Sequence, residues 1–204
     1  YRQWHRIFDY FTSMIRSFPV FIIILFIALS GFGQNQLSRI NHYEELNGMI
    51  ITDLLADSNG EIWMTTFSGL LTFDGYEFRN FYPDTRDSTT IDDLLLYKLA
   101  EARNGDIWIG SMNKIYRHDV ATGLFQNYPL QDYIEYPLDA QPMITQIVEN
   151  SDGDLYFGVN SATGYNEYPG LLKYSQSRNE FEVLELPGGE PVQNVYRMKI
   201  NEQG

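Results

Sequence analysis

One pattern of turns and strands occurs three times in this chain. Its copies read DSNGEIWMTTFSGLLTFD (57–74), RNGDIWIGSMNKIYRHD (103–119) and SDGDLYFGVNSATGYNEYPGLLKYS (151–175). The turn glycines Gly60, Gly105, Gly153 and Gly204 follow one another at intervals of 45, 48 and 51 residues. Four short strands per copy, with turn residues between them, are typical of a β-propeller blade. A sandwich would not repeat, and a solenoid of β-turns would repeat at a shorter period.

The repeat predicts an all-β chain, a β-propeller of four-stranded antiparallel blades of about 45–51 residues. We expect blades at about 50–83, 95–129 and 144–187, and the start of a fourth at 192–204 with a strand over 195–201. Pro83, Pro129 and Pro187 are expected to end the last strand of each blade, because proline has no N–H for a ladder hydrogen bond. Propellers typically close with 4–8 blades. The chain is therefore expected to be the N-terminal part of an incomplete ring, and the later blades are implied partners.

The first 33 residues have the features of a secretory signal peptide. A basic residue, Arg16, follows Met14, an apolar run covers 18–29, and the small residues Gly31 and Gly33 precede a polar segment. These features predict translation from Met14 and cleavage before Gln34. An uncleaved signal anchor is the alternative. The region 34–204 would then be the exported propeller, located in the periplasm or outside the cell.

The exported part is strongly acidic. The chain holds 14 basic and 27 acidic side chains, and without Arg2, Arg6, Arg16 and Asp9 there remain 11 and 26, a formal charge of −15. Such a surface repels phosphate backbones, so we expect no nucleic-acid partner for this segment. The chain has no Cys, which excludes disulfides and thiolate metal sites. We predict no cofactor.

The repeated residues are predicted to serve the architecture. The aromatics of the second strand, Trp63, Trp108 and Tyr156, are expected to pack between neighbouring blades. The turn sequences around positions 57–61 and 150–154 resemble the opening of a calcium loop, but no bidentate Glu follows, so they are interpreted as hairpin turns and no metal site is predicted. The glycines predicted to have a structural role in the turns of the repeat are Gly60, Gly69, Gly105, Gly153 and Gly170.

No catalytic residue is predicted. His42 and His118 are isolated, and no G-x-S-x-G sequence accompanies them, so a nucleophilic triad has no support. No specific carboxylate pair for glycoside cleavage stands out. Asp92 and Asp93 are expected in a solvated loop.

Two similar segments break the repeat. YNEYP, Tyr165 to Pro169, belongs to an insertion between the second and third strands of the third copy, and YIEYP, Tyr133 to Pro137, lies in the connection between the second and third blades. In a four-stranded blade both connections emerge on the same face, so both segments are expected on one rim. Tyr rings stack on sugars and Glu accepts hydrogen bonds from hydroxyl groups. The alternative is that both are ordinary rim loops or pack against another domain. The predicted ligand-binding residues are Tyr133, Glu135, Tyr136, Tyr165, Glu167 and Tyr168.

The repeat resembles the two-component regulator propeller family, whose blades follow D-x-x-G-x-I-W-x-G-T-x-x-G-L-x-x-F/Y-D. The first copy departs from this pattern at Thr65, the second at Ser111 and Lys114, and the third at Tyr156 and through its insertion. The resemblance implies a periplasmic sensor region of a membrane-bound hybrid histidine kinase, often one that responds to oligosaccharides. It also implies further parts, namely additional blades, a transmembrane helix and a cytoplasmic kinase, and a homodimer through the full-length receptor. The signal peptide is similar to those of Bacteroidetes.

Two other functions stay open at this point. A secreted propeller enzyme acting on polysaccharides would need a clustered acid and base on one face, and the sequence shows none. A propeller sensor could also have a diguanylate cyclase or a DNA-binding output. The segment itself is expected to bind a ligand, an oligosaccharide by the family resemblance, without catalysis.

Overall fold

The protein is described by a computed structural model that covers residues 46–82, 87, 89–137, 139–164, 170–193 and 195–199. Within these residues, twelve strands form three separate four-stranded antiparallel sheets. In each sheet the strands lie in chain order, as in a propeller blade. The predicted all-β fold with four-stranded blades is confirmed.

The strands occupy corresponding places in the three blades. The first blade contains β1 (Ile51–Ala56), β2 (Ile62–Thr66), β3 (Gly69–Phe73) and β4 (Phe78–Phe81). The second contains β5 (Leu96–Glu101), β6 (Ile107–Ser111), β7 (Lys114–His118) and β8 (Phe125–Pro129). The third contains β9 (Pro142–Glu149), β10 (Leu155–Ser161), β11 (Leu171–Ser175) and β12 (Glu180–Val183). A short 3-10 helix, Leu130–Asp132, follows β8.

The turn between the first two strands of a blade is fixed by a side chain that accepts hydrogen bonds from its backbone. The Asp57 carboxylate accepts from the N–H groups of Asn59 and Glu61, each at 2.9 Å, and from the Trp63 indole N–H at 3.0 Å. The glycine of this turn, Gly60, has a φ of 87°, which is in the left-handed region that favours glycine. The Asp-x-x-Gly sequence of the repeat is therefore a local device for closing the hairpin.

Adjacent blades are joined along their innermost strands. The Thr52 hydroxyl in β1 donates to the Leu96 carbonyl of the second blade at 2.6 Å. The Thr145 hydroxyl in β9 donates to the carbonyl of Val195 at the same distance. These bonds hold successive blades side by side.

A second kind of link connects the end of each innermost strand to the turn of the blade before it. The Glu101 carboxylate accepts the Ser58 N–H at 3.0 and 2.9 Å, and the Glu149 carboxylate accepts the Arg103 N–H at 3.2 and 3.0 Å. Each glutamate thus caps the turn of the preceding blade. The first blade has Ala56 at the corresponding position.

Each interface between blades has its own apolar core with a tryptophan in it. Trp63 is 3% exposed, and its ring lies 5.9 Å from Phe81 of the same blade and 5.1 Å from His118 of the next. Trp108 is 1% exposed and lies 4.7 Å from Tyr174 of the third blade. Both tryptophans are buried between neighbouring blades.

Two glycines allow the innermost strands to approach closely. A Cβ placed on Gly110 of β6 would lie 2.5 Å from the Cβ and Cγ2 of Ile144 in the next blade. A Cβ on Gly158 of β10 would lie 2.9 Å from Val195 Cγ1. The first blade has Thr65 at the corresponding position. The contact of the second blade with the third therefore requires glycine for its close fit.

The start of the predicted fourth blade is described only over 195–199. These residues form no strand, in contrast to the expected strand over 195–201, because none of the described residues pairs with them in a ladder. Val195 nevertheless contacts Gly158 of the third blade with its side chain, as Ile144 contacts Gly110 of the second, and its carbonyl accepts the Thr145 hydroxyl. Residues 200–204, and with them Gly204, lie outside the described residues, as does the predicted signal peptide region 1–33.

Candidate functional site

The connection between the second and third blades is firmly anchored. Leu130, Ile134 and Ala140 are buried in the core between these blades. The N–H groups of Tyr133 and Ile134 donate to the Leu130 carbonyl at 3.0 and 2.9 Å. These three buried side chains thus anchor the connection to the core, and polar residues lie between them.

The two described tyrosines of this connection are half-buried. The Tyr133 ring lies 4.7 Å from the ring of Phe181, and Tyr136 packs against the same core cluster. Burial, with a smaller contribution from the charge of Asp132, raises the pKa of Tyr133 and Tyr136 above their usual range. Both phenols are therefore neutral at physiological pH. Part of each ring serves packing, so sugar stacking could use only the remaining surface.

The blade-to-blade connection and the insertion of the third blade meet on one face, over the part of the insertion that is described. The Ser161 hydroxyl donates to the Ala140 carbonyl at 2.7 Å, and the Ala162 N–H donates to the Gln141 carbonyl at 3.1 Å. The Thr163 hydroxyl donates to the Asp139 carbonyl at 3.2 Å. We call this set of connected loops, residues 130–141 and 161–164, the rim cluster.

The predicted ligand-binding residues are only partly placed by the structure. Glu135 is exposed on the rim cluster between the half-buried Tyr133 and Tyr136. Tyr165, Glu167 and Tyr168 lie outside the described residues, immediately after Gly164. The rim cluster thus presents an exposed carboxylate and two neutral phenols on a rigid base, a combination suited to binding hydroxyl groups.

A polar network that the sequence did not reveal lies at the start of the second blade. Contrary to the prediction of a solvated loop, the Asp92 and Asp93 side chains are only 25% exposed, because each is engaged by side chains of β6 and β7. Lys114 Nζ lies 2.6 Å from the Asp92 carboxylate, the Tyr116 hydroxyl also donates to Asp92, and the Ser111 hydroxyl donates to Asp93 at 2.6 Å. Burial opposes ionisation of Asp92, but the Lys114 and Tyr116 hydrogen bonds outweigh it and lower the pKa of that carboxyl.

This network is a departure from the repeat that could have been found by aligning the copies. The positions of Asp92 and Tyr116 are taken by Ala140 and Leu172 in the third copy. The second blade therefore replaces an apolar contact by a hydrogen-bonded acid–phenol pair. Its five polar side chains are hydrogen-bonded to one another, so we infer that the network fixes the path of the chain as it enters the second blade.

His118 lies in the core between the first and second blades, away from the rim cluster. Its ring is 5.1 Å from that of Trp63 and 4.7 Å from that of Phe125, and its Nδ1 is buried without a hydrogen-bond partner. Burial lowers the pKa of His118 and outweighs the opposite influence of the Asp106, Glu61 and Asp119 carboxylates. The imidazole is thus kept neutral as part of the packing.

The neutral state of His118 predicts a stability that falls on acidification. As the pH falls through the ordinary histidine pKa of 6.5, the unfolded chain takes up a proton that the folded chain does not. The free energy of unfolding therefore decreases as the pH is lowered. We expect His118→Phe, which copies Phe73 of the first blade, to remove roughly 0.5 kcal/mol of this loss between pH 7 and 6. A full proton would cost 1.36 kcal/mol per pH unit, and partial exposure of the ring reduces it. Urea unfolding of both proteins at several pH values measures the difference, and parallel pH profiles would contradict this prediction.

The described residues contain no group of three or more His, Asp or Glu side chains arranged to hold a metal ion. Over the same part of the chain, no helix is long and apolar enough to cross a membrane.

Comparison with known families gives a match in the first blade. Residues 45–68, which include β1 and β2, match the family described as two component regulator propeller. No curated protein sequence matches the chain.

Solved structures similar to this chain are propeller domains. The extracellular domain assigned to a hybrid two component system from B. thetaiotaomicron aligns with a TM-score of 0.50 and 19% identity, over 70% of this chain and 18% of that one. This chain therefore spans under a fifth of that domain. Two further structures are less similar. A virginiamycin B lyase from Staphylococcus aureus aligns with a TM-score of 0.48 and 16% identity, over 69% of this chain and 42% of that one. The extracellular domain of a one component system from B. thetaiotaomicron aligns with a TM-score of 0.37 and 18% identity, over 68% of this chain and 22% of that one.

Proposed function

We propose that this chain belongs to the two component regulator propeller family, whose model matches residues 45–68, and that it is the extracytoplasmic, ligand-sensing propeller segment of a membrane-bound sensor histidine kinase. The observation that carries the proposal is the family repeat in a chain folded as successive propeller blades. The similar B. thetaiotaomicron structure is an extracellular domain, which supports placement outside the cytoplasm. Export through the signal peptide predicted over 1–33 is part of this proposal.

The segment is proposed to act by binding and not by catalysis. Its described histidine, His118, is enclosed by Trp63 and Phe125 and does not face the rim cluster. The ligand would change the packing of the blades, and a membrane helix would carry this change to the kinase. A ligand shifts such an equilibrium only by its different affinity for the two arrangements.

The proposed ligand is an oligosaccharide, bound at the rim cluster. Glu135 would accept hydrogen bonds from sugar hydroxyls, and the exposed parts of Tyr133 and Tyr136 would contact the ring faces. Tyr165, Glu167 and Tyr168 would complete the site from the insertion. Sugar sites in proteins combine such aromatic and polar groups on loops held by a rigid scaffold.

A thermal-shift screen of the chain with a panel of oligosaccharides tests this proposal. We expect at least one oligosaccharide to raise the melting temperature, because a ligand that binds only the folded state stabilises it. Glu135→Gln should weaken that binding about tenfold, the value of one hydrogen bond to a charged group. Tyr168→Ala should weaken it as well.

Tyr76→Ala is the matched control, because Tyr76 is 87% exposed on the β3–β4 turn, away from the rim cluster. It should leave the affinity unchanged. If no oligosaccharide shifts the melting temperature, or if the control variant weakens binding as much as Glu135→Gln does, the rim cluster is not the sugar site.

A further inference from the structure

The second and third blades each contain an ion pair that the first blade lacks. In the second, Arg117 of β7 pairs with the Asp106 carboxylate, with Nη2 at 2.6 Å and Nε at 2.7 Å. In the third, Lys173 of β11 pairs with Asp154 at 2.8 Å. The acid precedes the second strand of the blade and the cation lies on the third strand. The ion pair is therefore a feature of the repeat.

The cation of each pair also lies over the aromatic residue of the second strand. The Arg117 guanidinium carbon is 5.9 Å from the Trp108 ring centroid, and Lys173 Nζ is 5.9 Å from that of Tyr156. Each cation is opposite its aromatic in the strand register. Each cationic group thus has both a carboxylate and a π-face among its partners.

In the first blade the acid is present but the cation is not. Glu61 occupies the place of Asp106, and Thr72, opposite Trp63 in the register, occupies the place of Arg117. Among the described residues Glu61 makes no ion pair. Arg79 lies one strand further out, opposite Thr72, and pairs with neither Glu61 nor Asp74 within 4 Å over the same residues.

The missing side chain leaves a groove of about 520 Å³ on the first blade. Its lining includes Glu61, Thr72, Asp74, Glu77 and Arg79, which gives two more acidic than basic groups. Thr72 is 1% exposed, and its hydroxyl oxygen is buried without a hydrogen-bond partner. An unpaired buried hydroxyl costs free energy that a polar occupant could recover. The groove therefore carries an acidic wall and an unsatisfied polar atom where the other blades place a cation.

We propose that this groove binds an organic cation, an alkyl guanidinium or ammonium group that takes the place of the Arg117 and Lys173 side chains. The cationic head would pair with Glu61, and a ligand N–H would donate to the Thr72 hydroxyl. The alkyl chain of the ligand would extend out of the groove into solvent, between the β3–β4 turn and β4. Arg79 would remain on the outer side of the groove, where its charge limits the ligand to one cationic centre. This site is on a different blade from the rim cluster and does not depend on the proposed sensing of oligosaccharides.

Titration of the ¹⁵N-labelled chain with n-butylguanidinium chloride, followed by NMR, tests the proposal. We expect saturable shifts at amides of β2, β3 and β4, and at least tenfold weaker binding of the neutral n-butylurea. Glu61→Gln should lower the affinity about tenfold, because it removes a charge-assisted hydrogen bond. Thr72→Arg should abolish binding and raise the melting temperature, since it rebuilds the pair of the second blade inside the groove.

Glu180→Gln is the matched control, because it removes the same charge from an exposed position on β12 and should leave the affinity unchanged. Equal binding of n-butylurea, an unchanged affinity in Glu61→Gln, or the absence of saturation at millimolar ligand would each overturn the proposal. Since Glu61→Gln is nearly isosteric, it keeps the test decisive if Thr72→Arg does not fold.

Discussion

Trp108→Ala should lower the free energy of unfolding by about 3–5 kcal/mol, the usual cost of deleting a large buried aromatic side chain. The indole is enclosed by rings of two blades, since Tyr128 stacks on it at 5.8 Å and Phe157, Tyr174 and Phe181 surround it at 5.4, 4.7 and 6.3 Å. Its removal would leave a cavity at the interface that these rings cannot close without moving a strand. Urea unfolding followed by far-UV circular dichroism measures the loss.

The repeat supplies a matched control for this substitution. Tyr156 has the same place in the third blade, but it is only half-buried, and its described contacts are Lys173 over the ring and a 3.4 Å hydrogen bond from Asn150 Nδ2. Tyr156→Ala should cost about 1 kcal/mol. If both variants lose the same stability, the tryptophan is not the anchor of the interface.

Gly110→Ala should destabilise the protein by about 1–3 kcal/mol through overpacking. The backbone of Gly110 does not have a positive φ, so alanine would be tolerated by the strand itself. The cost arises from the next blade, because the added Cβ would meet Ile144 at 2.5 Å, and Ile144 is fully buried. One blade would have to move away from the other.

A double-mutant cycle with Ile144→Ala isolates this clash. Ile144→Ala alone should cost about 2–5 kcal/mol. In the double variant the new methyl group occupies part of the space that the isoleucine has vacated, so the loss should be smaller than the sum of the single losses. Strict additivity would show that the cost of Gly110→Ala does not arise from the contact with Ile144.

The strands and turns of the fold were predictable because they depend on local sequence. Asp57 and Gly60 close their hairpin with bonds inside a five-residue segment, and the period of Trp63 and Trp108 identifies the strand that follows. Local devices of this kind repeat with the sequence, so aligning the copies found the blades and their order.

Contacts between residues that are distant in the sequence were much harder to predict. Asp92 looks like a loop residue until Lys114 and Tyr116, 22 and 24 residues further along the chain, are placed beside it. The absence of a cation at Thr72 cannot be recognised from the first copy alone, because it becomes apparent only by comparison with Arg117 and Lys173. Tyr133 was predicted at the rim, but its packing on Phe181 depends on how the third blade meets the second.

The glutamate caps give this row of blades a polarity. Glu101 and Glu149 each accept an amide N–H of the preceding blade, so the turns of the first and second blades are each completed by the blade that comes after them in the chain. We expect these blades to fold in chain order, each turn exchanging water for a carboxylate only when its successor docks. The same asymmetry means that a displacement of a later blade acts directly on the turn before it.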